Sequence, residues 1–133
     1  MEKGKILIID DETPVGTALI NWLTKEEYEV VFVASGEEGL ESIENNQYDA
    51  VMLDIRMPSV DGLSVLSKIR ETDSKLVIII MTAFPSDDTI DKALALGAYN
   101  YITKPFDMDK ISSLIEKAVS YSRVMRATED QIS

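Results

Sequence analysis

Cysteine and histidine are both missing from the 133 residues. Without cysteine there is no disulfide framework and no cysteine-type zinc site, and nothing points to secretion. Without histidine the chain lacks the commonest general base and the commonest phosphoryl carrier, so any phosphohistidine chemistry must come from a partner. Positive charge is scarce as well: 13 Lys and Arg stand against 24 Asp and Glu, a net charge of -11. That surplus repels polyphosphate backbones, so direct binding of nucleic acid by this segment is not expected. No apolar run reaches the length of a signal peptide or a membrane span, and Met1-Glu2-Lys3-Gly4 leads straight into a short strand-like run. The expected compartment is the cytoplasm, with no membrane partner.

What is present is an ordinary globular balance, 45% hydrophobic and 28% charged, in a length that suits one domain. Short β-rich apolar runs at Lys5–Ile9, Val30–Val33, Ala50–Leu53, Leu76–Met81 and Tyr99–Thr103 read as five strands. Helical patterns separate them. Thr13-Pro14 looks like an N-cap with proline in the first turn, ahead of Val15, Leu19, Trp22 and Leu23 on one face. Ser35 with Glu38 makes a capping box. Asp61-Gly62 and Ser86-Asp87-Asp88 open two more amphipathic helices, the second ending at Gly97. The last helix starts near Asp107, carries Ile111, Leu114, Ile115, Ala118 and Val119 on one stripe, and has the length to reach Met125. Alternating strands and helices imply right-handed βαβ units and a parallel sheet covered on both faces, an α/β three-layer sandwich.

Sites in such sheets gather at the carboxyl ends of the strands. There the chain places Asp10-Asp11 after strand one, Asp54 after strand three, Thr82 after strand four and Lys104-Pro105 after strand five. Three crowded carboxylates call for a raised pKa or a hard cation with oxygen ligands, and Mg2+ suits a site of that kind. Asp54 is then the candidate nucleophile toward phosphorus, with Lys104 neutralising the transferring group and Thr82 donating to one of its oxygens. Taken singly, each residue has a plainer account: an acidic pair caps a helix, and lone polar residues are common at strand ends. Their joint placement at four strand ends favours the site.

The pieces Ile-Leu-Ile-Ile-Asp10-Asp11-Glu12, Val-Met-Leu-Asp54-Ile-Arg-Met57-Pro58-Ser-Val-Asp61-Gly62, Ile-Met-Thr82-Ala83 and Gly97-Ala98-Tyr99-Asn-Tyr101-Ile-Thr-Lys104-Pro105-Phe106 occur in that order. With them the chain resembles the receiver domains of two-component response regulators, typified by the bacterial chemotaxis response protein, over about residues 4–120. The Asp54-to-Lys104 stretch is similar to receivers fused to AAA+ activators of the nitrogen-regulation type.

The resemblance implies a flavodoxin-like (βα)5 fold with strand order 2-1-3-4-5. It implies a phosphoacceptor at Asp54, Mg2+ held by Asp10, Asp11, Asp54 and the backbone carbonyl of Arg56, and a phosphate-binding Lys104 followed by a cis bond to Pro105. Thr82 and Tyr101 look like a coupled switch pair. Arg56 and Phe84 are positions that flank the site and bear on phosphoryl lifetime, Phe84 by screening water, Arg56 by holding the phosphoryl group or by lying on the surface. The implied partners are a sensor histidine kinase or phosphotransfer protein, and an output domain or downstream protein reached through helix 4, strand 5 and helix 5. A phosphorylation-dependent homodimer is a further implied state. The only chemistry implied is self-catalysed phosphoryl transfer and autodephosphorylation, not turnover of a separate substrate.

Residues 1–121 form the expected receiver unit, and residues 122–133 a helical extension or linker, so a stand-alone regulator and a piece of a larger one both remain open. A phosphatase of the haloacid dehalogenase type shares the aspartyl phosphate but needs Asp-x-Asp after strand one, where Asp10-Asp11-Glu12 stands. A receiver-like module without chemistry would have lost one of Asp10, Asp11, Asp54, Thr82 or Lys104, and none is lost. A flavodoxin would want a phosphate-cradling loop where this chain has acids.

Overall fold

In the computed structural model, five parallel strands run in the order β2-β1-β3-β4-β5, the flavodoxin-like order expected. The structure describes residues 3–57, 61–84 and 88–132, the last four of these by backbone alone. The elements are β1 (Gly4–Ile9), α1 (Thr13–Lys25), β2 (Tyr28–Val33), α2 (Gly36–Asn45), β3 (Ala50–Asp54), α3 (Gly62–Thr72), β4 (Ile78–Thr82), α4 (Asp88–Ala95), β5 (Asn100–Thr103) and α5 (Met108–Ile132).

Strand alternation divides the core in two. Ile6, Ile8, Ala50, Met52, Ile79 and Met81 face Leu19 and Leu23 of α1 and Ile111, Ile115 and Ala118 of α5. Leu7, Ile9, Val51, Leu53, Ile78 and Ile80 face Val65, Leu66 and Ile69 of α3, Ala93 of α4 and the α2 side chains Leu40 and Ile43. Burial on both faces is why β1, β3 and β4 read as unbroken aliphatic runs.

The helix ends show where local chemistry decides. Thr13 does not cap α1. Glu12 occupies the N-cap position with no side-chain capping bond, Thr13 is already helical and Pro14 follows in the first turn. Ser35 caps α2 by accepting the Glu38 N–H at 3.2 Å, and the Ser35 hydroxyl donates to the Glu38 carboxylate at 3.1 Å. Asp61 caps α3 through the Leu63 N–H at 3.0 Å. After α4, the Gly97 N–H bonds to the Leu94 carbonyl and the Ala98 N–H to the Ala93 carbonyl, both at 3.0 Å. That is a Schellman closure, and the φ of +100° at Gly97 is the left-handed conformation it needs. Helix α1 closes instead on Glu27, a non-glycine residue at φ 73°.

Helix α5 continues without a break to Ile132, well past Met125. This end of the helix is tied to the amino-terminal edge of the sheet: Asp49, which accepts the Lys5 N–H at 2.7 Å, pairs with Arg126 and stands 3.7 Å from Arg123 Nε. The expected cap at Ser86-Asp87 and the motif residue Pro58 lie outside the described residues.

Candidate functional site

The pairing Ile9↔Leu53 brings the ends of β1 and β3 side by side, so Asp10 and Asp54 follow as neighbours. The Asp10 N–H continues the ladder to the Val33 carbonyl at 3.2 Å. On the other side Asp54 pairs with Met81, and Thr82 with Thr103, which delivers Lys104 to the same rim. Asp10 is fully buried, and Asp54 and Thr82 nearly so, while Asp11 and Glu12 face solvent.

Gly62 fixes the floor of the site. A Cβ there would sit 2.5 Å from the Ile55 Cα and 2.8 Å from the Asp54 carbonyl oxygen, and the Gly62 N–H donates to the Ile55 carbonyl at 3.1 Å. Close approach of α3 to the Asp54 loop, rather than an unusual φ, is what requires glycine.

One carboxylate oxygen from each of Asp10, Asp11, Glu12 and Asp54 lies within 4.8 Å of the other three. A single ammonium, Lys104 Nζ, reaches three of them: Asp10 at 2.9 Å, Glu12 at 3.0 Å and Asp54 at 3.4 Å. Asp54 Oδ1 also accepts the Arg56 N–H at 3.1 Å. Burial, helped by the charge of Asp10, outweighs that hydrogen bond and Lys104, and pushes the Asp54 carboxyl from its ordinary 3.8 up to about 6. Burial also opposes charge on Lys104, but hydrogen bonds to Asp10 and Glu12 and the charge of Asp54 hold its ammonium above the ordinary lysine range. The cluster thus has more negative charge than its one lysine offsets, and an all-oxygen donor set of this kind fits a hard divalent cation.

Of the residues singled out in the sequence, Asp10, Asp11, Asp54 and Lys104 converge here, and Arg56 joins through its backbone N–H. The Thr82 hydroxyl accepts the Phe84 N–H at 3.0 Å. The Arg56 guanidinium carbon lies 4.7 Å from the centroid of the Phe84 ring. Tyr101 is 39% exposed, its ring outside. The Lys104–Pro105 peptide is cis, as expected. Glu12 is the residue that sequence reasoning missed. Beside Asp10-Asp11 it passes for an ordinary acid at a helix start, and only the contact with Lys104, 92 positions away, separates it from one. Next to the cluster an open apolar shelf is formed by Pro14, Val15, Ala18, Ala83, Pro105 and Phe106.

Residues 6–116 match the family model described as the response regulator receiver domain. The chain is 34% identical over 117 residues to sporulation initiation phosphotransferase F of Bacillus subtilis, covering 88% of this chain and 94% of that protein. It is 38% identical over 119 residues to the transcriptional regulatory protein YkoG of Bacillus subtilis, covering 90% of this chain but 52% of that one. Among solved structures, NtrX from Brucella abortus superposes with a TM-score of 0.89 at 27% identity, over 98% of this chain and 30% of NtrX. The chain therefore spans about half of YkoG and under a third of NtrX.

Proposed function

The chain belongs to the response regulator receiver domain family of two-component systems, and on that premise we propose that it accepts a phosphoryl group on Asp54 from a phosphohistidine of a partner. The observation that carries this reading is the four-carboxylate cluster with Lys104 bridging Asp10, Glu12 and Asp54.

In the forward step an Asp54 carboxylate oxygen attacks phosphorus, an O–P bond forms, and the P–N bond to the donor imidazole breaks with the electron pair leaving on nitrogen. These 133 residues hold no histidine, so the donor imidazole comes from outside them, on a sensor kinase or phosphotransfer protein, and the apolar shelf beside the cluster offers it a docking edge. Asp10, Asp11, Asp54 and the Arg56 carbonyl would hold Mg2+. When bound, Mg2+ neutralises charge on the phosphoryl oxygens and eases crowding among the carboxylates. Lys104 contributes the second positive charge. In the return step water attacks phosphorus, the acyl O–P bond breaks, and Asp54 and inorganic phosphate are regenerated.

Thr82 and Tyr101 act as the switch pair. The Thr82 hydroxyl, satisfied at rest by the Phe84 N–H, turns to donate to a phosphoryl oxygen, and the outward Tyr101 ring moves in behind it. A contact that exists only in the phosphorylated state supplies the differential free energy such a switch requires. The readout face is α4, β5 and α5, where Leu94, Leu96, Tyr101 and Tyr121 are exposed, and its partner is an output element or, after phosphorylation, a second copy. Residues 1–121 serve as the receiver unit and residues 122–133 as a helical extension toward what it controls. No helix among the described residues is long and apolar enough to cross a membrane, and the cytoplasm is the proposed compartment. Self-catalysed transfer and dephosphorylation are its only proposed chemistry.

Intact mass after incubation with acetyl phosphate tests the reading. Wild type with Mg2+ is expected to gain one phosphoryl group, and wild type without Mg2+ or Asp54→Asn to gain none. A gain independent of both, or no gain in folded wild type with Mg2+ from either acetyl phosphate or a phosphohistidine donor, overturns it.

A further inference from the structure

Glu12 sits at the N-cap of α1, the position where an oxygen-bearing side chain usually folds back onto a backbone N–H of the first turn. Its carboxylate makes no such bond and instead accepts from Lys104 Nζ at 3.0 Å. Asp10 fixes the geometry from both ends. Its Oδ1 accepts the Glu12 N–H at 2.8 Å, while its Oδ2 takes Lys104 at 2.9 Å. Lys104 is held closest by these two acids and more loosely by Asp54 at 3.4 Å.

An ammonium has three hydrogens to donate, and the three carboxylates use all of them. A phosphoryl group on Asp54 takes the place of the longest of these, the 3.4 Å contact, and draws Lys104 toward phosphorus against the pull of its two shorter partners. The Asp10 and Asp54 side chains are 0% and 5% exposed and that of Glu12 is 59% exposed. Glu12 is the partner that returns to water at least cost.

We propose that Glu12 is a positioning residue that holds Lys104 in a resting clasp with Asp10 and gives it up when a phosphoryl group occupies Asp54. Glu12 thereby sets how readily the lysine joins the transfer. This rests on the reading of Asp54 as the acceptor.

The test has a part that needs neither metal nor phosphodonor. In the metal-free protein, the 15Nζ resonance of Lys104 is expected to shift and broaden in Glu12→Gln, and to stay in place in Glu41→Gln, which removes a like charge on α2. With saturating Mg2+ and acetyl phosphate, Glu12→Gln is expected to accept the phosphoryl group about two- to fivefold faster than wild type, the range of an exposed ion pair. Glu41→Gln is expected to match wild type. In a Lys104→Gln background the Glu12→Gln substitution is expected to add nothing. An unmoved Lys104 resonance, an unchanged or lower rate, or a gain that survives without Lys104 would each overturn the clasp. A wild type that takes up no phosphoryl group overturns the acceptor reading instead, and the Lys104 resonance then decides the clasp alone.

Discussion

Asp54 is 3% exposed, and as an anion at neutral pH it weakens the fold that places it. Its carboxyl binds a proton more tightly in the folded chain, at about 6, than at the ordinary 3.8. The difference corresponds to roughly 3 kcal/mol between the two protonation states. Because the folded value is the higher, this stability is fully present below about pH 4, declines as pH rises from there, and is lost once pH has passed through about 6. Asp54→Asn, which has no charge to bury, is therefore expected to exceed wild type by about 1–3 kcal/mol at pH 8. That gap should close toward pH 4, and urea unfolding of both proteins across this range checks it. A gap that does not vary with pH would show that the strain is steric.

Phe84, 56% exposed and stacked under the Arg56 guanidinium, is expected to keep water off the acyl phosphate. Phe84→Ala should shorten the phosphoryl half-life severalfold with little change in the rate of loading, read by intact mass after removal of the donor.

Two elements carry consequences of their own. Helix α3 begins on Gly62 with no room for a Cβ, so Gly62→Ala is expected to cost about 1–3 kcal/mol and to displace the Asp54 loop. Lowered urea stability together with slower phosphorylation would report both. Helix α1 ends on Glu27 at φ 73°, where a side chain is strained. Glu27→Gly should stabilise by a few tenths to about 1 kcal/mol, the relief of left-handed strain less the added freedom of the unfolded chain. An unchanged Tm would show that Glu27 has compensating contacts.

These elements also mark what could be read from the sequence. The strands lay open because burial on both faces writes unbroken aliphatic runs, and Ser35, Asp61 and Gly97 announce their caps by residue type. The start of α1 was misread by one residue, because Thr13 is the better capping residue while Glu12 holds the position and spends its side chain on Lys104. Glu27 carries no signal, since nothing local marks a left-handed glutamate. The reach of α5 stayed open between a helical extension and a linker for a similar reason: this end of the helix is secured by Arg126 and Arg123 on Asp49, across 77 and 74 positions, rather than by an apolar stripe.

At the scale of the whole molecule, the net charge of -11 includes four carboxylates that meet at one point and face one lysine, so a divalent cation held there would stabilise the fold. Apparent stability is expected to rise with the logarithm of Mg2+ concentration, by about 2.7 kcal/mol at a hundred times the dissociation constant. Asp11→Asn should flatten that dependence, and sodium chloride of equal ionic strength should not reproduce it. Thermal melts over a Mg2+ series settle the point.

The proposed acceptor of the phosphoryl group is one carboxylate, that of Asp54. This assignment is tested most directly by treating the phosphorylated protein with borohydride, which reduces an aspartyl phosphate to homoserine, and mapping the product by tandem mass spectrometry. Homoserine at position 54, with Asp10, Asp11 and Glu12 all unreduced, is the predicted result. Reduction at another acid, or a phosphoryl group that survives borohydride on a hydroxyl such as that of Thr82, would contradict it.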